Sequence, residues 1–345
     1  MKRTVFLLLF ICAFTAFLLS GCTGAAETYT DTAFFAMDTV ITLRLPRETE
    51  FPWGTEENIC SLVEDRVAVL ESVFSRTKAG SEISLFNHAG AGNMTLSDET
   101  AAVLSAALSV AAATDGAYDP TVAPLSELWN ITGASPAVPT DTAIRDALSR
   151  VGYEQLSLDG NTLSKTDGDV MLDLGGCAKG YACHAAVELL LDAGVSHGIV
   201  SFGGNIGVFG KKTDGTKWKV GIKDPASPDS VAGYLSVDAG YVSVSGDYER
   251  YFEENGIRYH HIFNRETGYP ADSGVRSVAV FSTDAVLADA LSTALFVMGA
   301  EDGMVLYDTG TFSFEAVWYL SDGTTVLTQG IIPDYEHVSA NFTKP

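Results

Sequence analysis

The order of apolar and polar residues along the chain predicts where its helices and strands lie. Residues 37–45 alternate with the two-residue period of a half-buried strand. Residues 59–74 carry apolar side chains three and four positions apart, which places them on one face of a helix. Two further helices are predicted at 97–114, where Ser97 is the expected N-cap, and at 140–151.

The second half of the chain is predicted to be richer in strands. A short strand at 170–173 leads through two glycines into a helix at 178–193, and a later helix begins after Asp284 and ends at Gly299. Because helices and strands do not alternate regularly and the connections are short, we expect an α+β fold with a largely antiparallel sheet and packed helices. The other strands are predicted at 198–202, 206–211, 217–222, 234–245, 260–264, 277–282, 317–319 and 325–327, the last two at sheet edges.

The first residues have the features of an export signal. Two basic residues precede an apolar run at 5–19, which ends in Leu19-Ser20-Gly21-Cys22. Small residues before a cysteine resemble the lipobox of bacterial lipoproteins, in which the cysteine is lipidated, and the run is short for a transmembrane helix of ~20 residues. We therefore expect a lipoprotein signal peptide at 1–21, lipidation at Cys22, and an extracytoplasmic protein held at the cell membrane by its lipid. The alternative is an ordinary secretory signal with an incidental cysteine.

The mature chain is expected to begin with a tether and to be strongly acidic. Residues 22–32 are small and polar, and residues 33–335 are expected to form one enzyme-sized domain or two interlocked lobes. The formal net charge of −23 becomes about −25 when two positive charges leave with the signal peptide. Such a surface repels nucleic acid and anionic lipid headgroups, so no nucleic-acid partner is expected. An anionic ligand would need local positive charge from lysine, a metal ion or a helix N-terminus.

Three cysteines remain once the predicted signal peptide and the lipidation site are set aside. Cys60, Cys177 and Cys183 are an odd number, so they cannot form a complete disulfide framework. Cys177 and Cys183 could pair with each other, but they flank a predicted loop-to-helix turn. We expect them to be small packing residues.

An acidic residue inside an apolar helix is the first chemical signal. Asp289 lies among leucines and alanines, where a carboxylate is costly unless something compensates its charge. Thr293 lies one turn further on the same face, so the pair offers a carboxylate and a hydroxyl to one point. Oxygen ligands of this kind suit Mg²⁺. A solvent-facing Asp289 with Thr293 as a core filler is an equally open interpretation at this point.

A glycine-rich segment at 173–180 joins a predicted strand to a predicted helix. Its glycines allow close approach of the backbone, the helix N-terminus favours an anion, and Lys179 adds positive charge in the first turn, although a solvated Lys179 is the alternative. Gly203-Gly204 follows another strand and could also approach a phosphate, but a glycine pair is more often only a turn. The P-loop, Rossmann and HExxH signatures are absent.

Eight separated motifs occur in one order between about residues 34 and 300. They are Met37-Asp38-Thr39-Val40, Ser81-Glu82-Ile83-Ser84 with Asn87, Gly116-Ala117-Tyr118-Asp119-Pro120-Thr121-Val122, Asp173 to Tyr181, Phe202-Gly203-Gly204-Asn205, Ser245 to Tyr251, His261-Ile262-Phe263-Asn264 with Thr267-Gly268, and Ala288 to Ala294. Together they resemble the ApbE family, the FAD:protein FMN transferases. Eight motifs in the family's order make coincidence a poor explanation.

The resemblance implies an ApbE-like fold and a role for each matching residue. Asp289, Thr293 and the backbone carbonyl of Gly176 match the family's metal ligands, for which Mg²⁺ is expected. His261 matches the histidine associated with catalysis, alongside Asp289, and the neighbouring His260 competes for the role of base. Contacts to FAD are implied for Met37, Ala117, Tyr118, Asp119, Asp173, Lys179, Asp247 and Ile262.

Two positions depart from the family pattern. Many relatives place a tyrosine against the flavin where this chain has Thr77, so an aromatic stack worth roughly 0.5–1.5 kcal/mol is missing or supplied by another residue. His184 stands where relatives commonly carry an aspartate, and we interpret it as a structural or surface residue.

The implied activity is Mg²⁺-dependent transfer of the FMN moiety of FAD to a threonine or serine hydroxyl of an acceptor protein, with release of AMP. The implied acceptors are subunits of membrane redox complexes, of the NqrC or RnfG type or with an FMN-binding domain. Two alternatives use the same cofactor motifs. One is a Mg²⁺-dependent FAD pyrophosphatase that gives FMN and AMP, and the other is a flavin-binding lipoprotein without catalytic activity.

Overall fold

The structure is a computed structural model that describes residues 28–47 and 51–345. The predicted signal peptide, Cys22 and most of the predicted tether lie outside the described residues. The helices are α1 (Glu56–Phe74), α2 (Glu82–His88), α3 (Asp98–Ala113), α4 (Ala123–Trp129), α5 (Asp141–Leu148), α6 (Ala178–Asp192) and α7 (Ala285–Thr309). The strands are β1 (Tyr29–Ala36), β2 (Thr39–Pro46), β3 (Gly92–Thr95), β4 (Leu156–Asp159), β5 (Thr162–Lys165), β6 (Gly198–Phe202), β7 (Asn205–Phe209), β8 (Trp218–Asp224), β9 (Ser227–Val237), β10 (Gly240–Gly246), β11 (Tyr251–Glu254), β12 (Ile257–His260), β13 (Val275–Ser282), β14 (Glu315–Leu320), β15 (Thr325–Leu327) and β16 (Tyr335–His337).

A sheet of eight antiparallel strands forms the centre, in the order β1-β2-β6-β7-β10-β13-β14-β15. Helices α6 and α7 pack on one face of this sheet, and α1 and α3 pack on those helices. The smaller sheet β8-β9-β16 covers the other face, where Trp218, Leu235 and Tyr319 are buried. The predicted α+β class and the largely antiparallel sheet are confirmed.

Three of the sequence motifs meet at one end of the large sheet. β1 turns into β2 at Met37-Asp38, and the register of β2 with β6 places this turn beside Gly203-Gly204. The register of β7 with β10 brings Ser243 to the same end, and its side chain reaches Asp289 on α7. The antiparallel topology therefore gathers residues that are far apart in sequence into one region.

The strand predicted at 170–173 is wrong, because this buried segment is irregular. The amide of Leu172 donates to Oδ1 of Asn87 at 2.7 Å, and Nδ2 of Asn87 donates to the carbonyl of Leu172 at 2.8 Å. The next amide, of Asp173, donates to the carbonyl of Pro120 at 2.8 Å. Buried backbone groups need partners, and here an asparagine side chain takes the place of a neighbouring strand.

Three other strand predictions also need correction. The strand predicted at 260–264 stops at His260, because the ring of His260 accepts the amide of Ile262 at 3.2 Å and the chain leaves the ladder there. The strand predicted at 234–245 is two strands, which separate before Gly240, whose φ is 131°. β14 lies between β13 and β15 rather than at an edge, because its central residues are buried on both faces.

The ends of several elements also differ from the predicted ones. β1 begins at Tyr29, before the predicted start of the body at residue 33, because it pairs with β2 over its whole length. At the other end, beyond residue 335, Phe342 is buried against the ring of Tyr319. The predicted break at Gly299 is confirmed by its φ of 85°, although a second helical piece follows it.

Candidate active site

Helix α6 begins in the glycine-rich segment and takes its cap from another helix. Its own N-cap residue, Cys177, makes no side-chain cap bond. Instead, Oδ2 of Asp289 on α7 accepts the amide of Gly180 at 2.9 Å. A carboxylate here satisfies an orphan amide and stabilises the positive end of the helix dipole. Asp289 therefore joins α6 to α7 and faces the glycine-rich segment, which excludes the solvent-facing alternative.

The close approach of the two helices depends on Gly180. A Cβ atom at this position would lie 2.3 Å from the carbonyl oxygen of Ala285 and 2.8 Å from Cβ of Asp289. Any larger residue would have to push the helices apart. This glycine of the segment thus serves a helix contact, a purpose that the sequence alone did not indicate.

The carboxylate of Asp289 is buried without a full set of donors. The residue is 4% exposed. Besides the Gly180 amide, its hydrogen-bonding neighbour is Ser243, whose Oγ lies 3.3 Å from Oδ1. Across residues 28–47 and 51–345, no Lys, Arg or His forms an ion pair with it. A buried carboxylate without a counter-charge is costly, so this arrangement fits a cation at Oδ1.

The predicted metal ligands are brought together by α7 and the glycine-rich segment. A Cβ atom on Gly176 would lie 3.3 Å from Oγ1 of Thr293, and Thr293 lies one helical turn after Asp289. This set contains a single acidic side chain. Within the described ranges, no three His, Cys, Asp or Glu side chains cluster in a way that could hold a metal. The side-chain oxygen atoms that α7 brings to this segment are therefore a carboxylate and a hydroxyl, the oxygen chemistry of Mg²⁺.

The ring of Tyr118 covers Gly176. A Cβ atom on Gly176 would lie 2.9 Å from Cε2 of this ring, and Tyr118 is 3% exposed. Burial raises the pKa of Tyr118 well above its ordinary value, and the nearby Cys177, Asp289 and Asp173 raise it further. Within the part of the chain that the structure describes, the hydroxyl makes no hydrogen bond to a nitrogen or oxygen atom, and its neighbour is the Cys177 thiol. It is thus a protonated hydroxyl packed at the N-terminus of α6.

A buried lysine organises the approach to the glycine-rich segment. Lys165 is 3% exposed, and burial lowers the pKa of its ammonium group. Its Nζ donates to three backbone carbonyls at 2.9 to 3.0 Å, and it lies 4.6 Å from the centre of the Phe86 ring. These bonds satisfy the charge without a carboxylate. The carbonyls belong to Phe86, Gly168 and Val170.

Asp173 and Lys179 frame the glycine turn. Oδ1 of Asp173 accepts the amide of Gly175 at 2.9 Å, and Oδ2 accepts Nε of Arg76 at 3.0 Å. Nζ of Lys179 donates to the carbonyl of Gly175 at 2.7 Å. Because Asp173 and Glu127 neutralise Arg76, the uncompensated positive charge beside the turn is that of Lys179, which forms no ion pair among the described residues. Sequence reasoning missed Arg76, because nothing in its local pattern connects it with a residue 97 positions away.

The turn between β1 and β2 has a strained backbone. Met37 and Asp38 have φ values of 49° and 59°, the left-handed region that a type I′ turn requires. Neither residue is glycine, and each such position costs on the order of 1 kcal/mol or more. The amide of Met37 donates to Oε1 of Glu71 at 3.2 Å, and Arg250 holds both the carbonyl and the carboxylate of Asp38. The predicted FAD contact at Met37 thus lies on a turn that its surroundings keep in place.

His261 is held by the same arginine. Its amide and its Nδ1 lie 3.2 Å and 3.3 Å from the carbonyl oxygen of Arg250. A carbonyl only accepts, so Nδ1 carries the proton and Nε2 keeps its lone pair. Burial, followed by the positive charges of Arg250, His260 and Lys179, lowers the pKa of His261 to about 3. The ring is therefore neutral at pH 7 and offers one acceptor nitrogen.

His260 uses both of its ring nitrogens inside the protein. Nε2 lies 3.0 Å from the carbonyl of Ala271, and Nδ1 accepts the amide of Ile262 at 3.2 Å. The ring also packs edge-on against Phe296. Of the two neighbouring histidines, the geometry leaves His261 with an available nitrogen.

Besides Asp173, two more of the predicted FAD contacts are carboxylates that already have internal partners. Asp119 has a side chain with no exposed surface, and its Oδ2 accepts Nη1 of Arg265 at 3.0 Å. Asp247 lies between Arg258 and Arg276. Sequence reasoning missed these three arginines, whose pairing is set by the fold. Both carboxylates hold loops at the site rather than offering free oxygens.

The remaining predicted contacts are apolar. Ala117 is half-buried and lines a surface cavity of about 170 Å³ together with Asn264 and Arg265. Ile262 is 5% exposed, and its carbonyl accepts the amide of Ala271 at 2.9 Å. Ala117 and Ile262 can therefore contribute apolar surface to a binding site, but no charge.

Several structural expectations are met. Cys60, Cys177 and Cys183 are buried free thiols, and burial raises the pKa of Cys177 to about 12, so they are packing residues. His184 bonds to the hydroxyl of Tyr241 at 2.9 Å, in agreement with a structural role. Among the described residues, no helix is both long enough and apolar enough to cross a bilayer.

Comparisons with known proteins agree with this geometry. The model of the ApbE family matches residues 37–318. An FAD:protein FMN transferase of Vibrio cholerae is 34% identical over 253 residues, which are 72% of this chain and 76% of that protein. An FAD:protein FMN transferase of Treponema pallidum is 32% identical over 289 residues, which are 79% of this chain and 80% of that protein.

Solved structures show the same fold. The ApbE protein of Thermotoga maritima superimposes with a TM-score of 0.81 at 34% identity, over 89% of this chain and 99% of that one. The flavin transferase ApbE of Vibrio cholerae gives a TM-score of 0.80 at 27% identity, with the same shares of both chains. The motif-based resemblance is confirmed, and the chain belongs to the ApbE family.

Proposed function

We propose that this protein is an FAD:protein FMN transferase, which moves the FMN half of FAD onto a threonine or serine hydroxyl of an acceptor protein and releases AMP. Relatives that carry this name are more than 30% identical over more than two thirds of the chain. The observation that carries the proposal is the buried Asp289 without a counter-charge, which caps the N-terminus of α6 at Gly180 and lies one helical turn from Thr293, the residue beside Gly176.

The proposal includes Mg²⁺ held by Asp289, Thr293 and the carbonyl of Gly176. Two observations support it: the uncompensated carboxylate of Asp289, and the hydroxyl oxygen of Thr293 one helical turn away, which lies against Gly176. When bound there, the ion would neutralise negative charge on the FAD pyrophosphate. Lys179 and the amides of the glycine-rich segment add positive potential on the same side.

The proposed step exchanges one bond to phosphorus for another. The acceptor hydroxyl oxygen bonds to the FMN-side phosphorus, the anhydride bond to the AMP phosphate breaks, and AMP leaves with the bonding electrons. The hydroxyl proton passes to Nε2 of His261, the nitrogen that the Arg250 carbonyl leaves without a proton. A bound pyrophosphate would raise the pKa of His261 towards neutrality, because it adds negative charge where Arg250 and Lys179 now lower that pKa.

The acceptor and the location are also part of the proposal. We propose an acceptor of the NqrC or RnfG type, or one with an FMN-binding domain, and attachment of the enzyme to the outer face of the cell membrane through lipid on Cys22. A lipid tether would place the site where membrane redox subunits present their acceptor residue. Replacement of Cys22 by Ala should move the protein from the membrane fraction to the soluble fraction.

One incubation separates the three activities considered. The purified protein is mixed with FAD, Mg²⁺ and a purified FMN-binding-domain acceptor, and the acceptor mass and the nucleotides are measured. We expect an acceptor with one covalently added FMN, and AMP in equal amount. Free FMN and AMP with unmodified acceptor would instead identify a pyrophosphatase, and unchanged FAD would identify a flavin-binding protein. An acceptor in which the target threonine is replaced by Ala is the matched control.

A further inference from the structure

A second layer of side-chain oxygen atoms lies behind Asp289. β10 presents Ser243 and Ser245 on the face that α7 covers, and β7 presents Asn205 opposite Ser243 in the register. Ser243 and Asn205 are 1% and 4% exposed. Polar groups on a core-facing strand surface are costly unless they are hydrogen-bonded. The direction of each hydrogen bond in this layer therefore decides whether Asp289 receives a proton donor or stays free to bind a cation.

Ser243 has three oxygen neighbours and one proton to give. Its Oγ is 2.7 Å from Oδ1 of Asn205, 3.3 Å from Oδ1 of Asp289 and 3.3 Å from Oγ of Ser292. A hydroxyl carries a single proton, and the shortest contact takes it, so Ser243 donates to Asn205. Oδ1 of Asp289 then faces a hydroxyl lone pair instead of a donor. The carboxylate oxygen that points away from the α6 cap is left open to a cation.

A similar chain of hydroxyls ends at the second predicted ligand. Ser292 donates to the backbone carbonyl of Asp289 at 2.8 Å, so its Oγ is free to accept from Ser245, 2.8 Å away. Ser245 in turn lies 3.5 Å from Oγ1 of Thr293 and has its lone pairs available to that hydroxyl. The Thr293 proton is thereby directed towards β10, and its oxygen lone pairs are left for a ligand on the other side.

We infer that Asn205 is a positioning residue, which draws the proton of Ser243 away from Asp289 and so keeps Oδ1 competent to bind a divalent cation. This inference rests on the metal site of the proposed function. A hydrogen bond to a charged group is among the stronger ones in a protein. If the Ser243 proton turned to Asp289, an incoming cation would have to displace it, and its affinity would fall by about 10-fold or more.

The test is a set of three variants with one specific pattern. Asn205→Leu removes the acceptor, so Ser243 turns to Asp289 and Mn²⁺ binding weakens about 10-fold. Ser243→Ala removes the competing proton itself, and binding stays within about 3-fold of the original. The double variant Asn205→Leu with Ser243→Ala regains most of the affinity that Asn205→Leu loses. A purely structural role of Asn205 would make the double variant at least as weak as Asn205→Leu.

Binding is measured on the purified protein by titration with Mn²⁺ alone, followed by the electron paramagnetic resonance signal of the free ion. Ser277→Ala is the control, since Ser277 is a fully buried serine of the neighbouring strand β13 outside this layer. Circular dichroism confirms that each variant is folded. In transfer assays, the Mg²⁺ concentration for half-maximal rate should rise about 10-fold in Asn205→Leu, with little change in the rate at saturating Mg²⁺.

The outcomes separate two kinds of failure. If the unaltered protein binds no divalent cation, the metal site of the proposed function is wrong. If the unaltered protein binds Mn²⁺ but Asn205→Leu binds it equally well, or if removal of Ser243 does not restore binding, the metal site stands and the role of Asn205 is wrong.

Discussion

Two buried aspartates, Asp119 and Asp289, show how the same side chain can serve opposite purposes. Asp119 accepts four bonds: the amide and hydroxyl of Thr121 on Oδ1, and the Tyr153 amide and Arg265 on Oδ2. Asp289 accepts one amide, together with a longer contact to a hydroxyl whose proton is committed elsewhere. A carboxylate has about four lone-pair sites, so the first is complete and the second is not. Burial alone does not identify a functional acid, whereas unfilled acceptor capacity does.

Replacement of Asp by Asn should reduce activity at Asp289 and stability at Asp119, and we expect the larger effect at Asp289. Asp289→Asn removes the charge but keeps an oxygen for the Gly180 amide. We expect FMN transfer to fall by ~10³-fold or more, because several kcal/mol of charge stabilisation are lost. The melting temperature should change by no more than a few degrees. Acceptor mass measured over time and thermal unfolding check the two effects, and near-complete activity in saturating Mg²⁺ would rule out the metal assignment.

Asp119→Asn should act on stability. Its amide group would oppose either the donors on Oδ1 or those on Oδ2, and Arg265 would lose a buried partner. We expect the free energy of unfolding to fall by about 3 kcal/mol, at the low end for a broken buried ion pair, because Arg265 keeps Glu154. Urea denaturation measures the change. An unfolding free energy equal to that of the original protein would show that the four bonds of Asp119 contribute little.

Asn87 provides a third case, because it holds the segment before Asp173 in place without contacting the proposed ligands. Asn87→Ala leaves the amide and carbonyl of the buried Leu172 without their side-chain partner. We expect a loss of about 2 kcal/mol in the free energy of unfolding, since water can replace part of what is lost. Ser84→Ala, at another buried polar residue of the same helix α2, is the matched control and should lose less. Equal losses in both variants would mean that the pair of bonds is not the cause.

At pH 7 the smallest expected effect on stability is that of His261, because it acts only as the pH falls. Its pKa is lowered from the ordinary 6.5 to about 3, so the folded protein does not take up this proton between those values while the unfolded chain does. The contribution to stability is complete above pH 6.5 and is lost as the pH falls towards 3. His261→Gln should therefore reduce the slope of the unfolding free energy against pH between about 6.5 and 4. An unchanged slope would mean that the histidine is solvated.

Much of this site could be predicted from local pattern, and the remainder depends on contacts between distant residues. The four-residue spacing of Asp289 and Thr293 indicated their shared face, and Ser97 and Asp284 marked helix starts, because caps and helical periods are local properties. The segment at 170–173 was misread as a strand because its partner is the side chain of Asn87. No local pattern could reveal such a partner.

The missed arginines have the same physical explanation. Arg76 reaches Asp173, and Arg265 reaches Asp119 across 146 residues, so each pair exists only after the chain has folded. An exposed arginine and a paired one look alike in a sequence. The family resemblance located the motifs that contain some of these residues, but it did not indicate which carboxylates already have partners.

Because Asp289 lies between two helices, binding of the proposed metal ion should change the stability of the fold. Oδ2 accepts the amide of Gly180 in the first turn of α6, and Oδ1 faces the proposed ion. An ion bound to Oδ1 should therefore also stabilise the start of α6. A ligand that binds only the native state adds about 2.7 kcal/mol of stability at one hundred times its Kd. Heat denaturation at graded Mg²⁺ concentrations would therefore serve as a binding curve, and slowed amide exchange at Gly180 would report loading at a single residue.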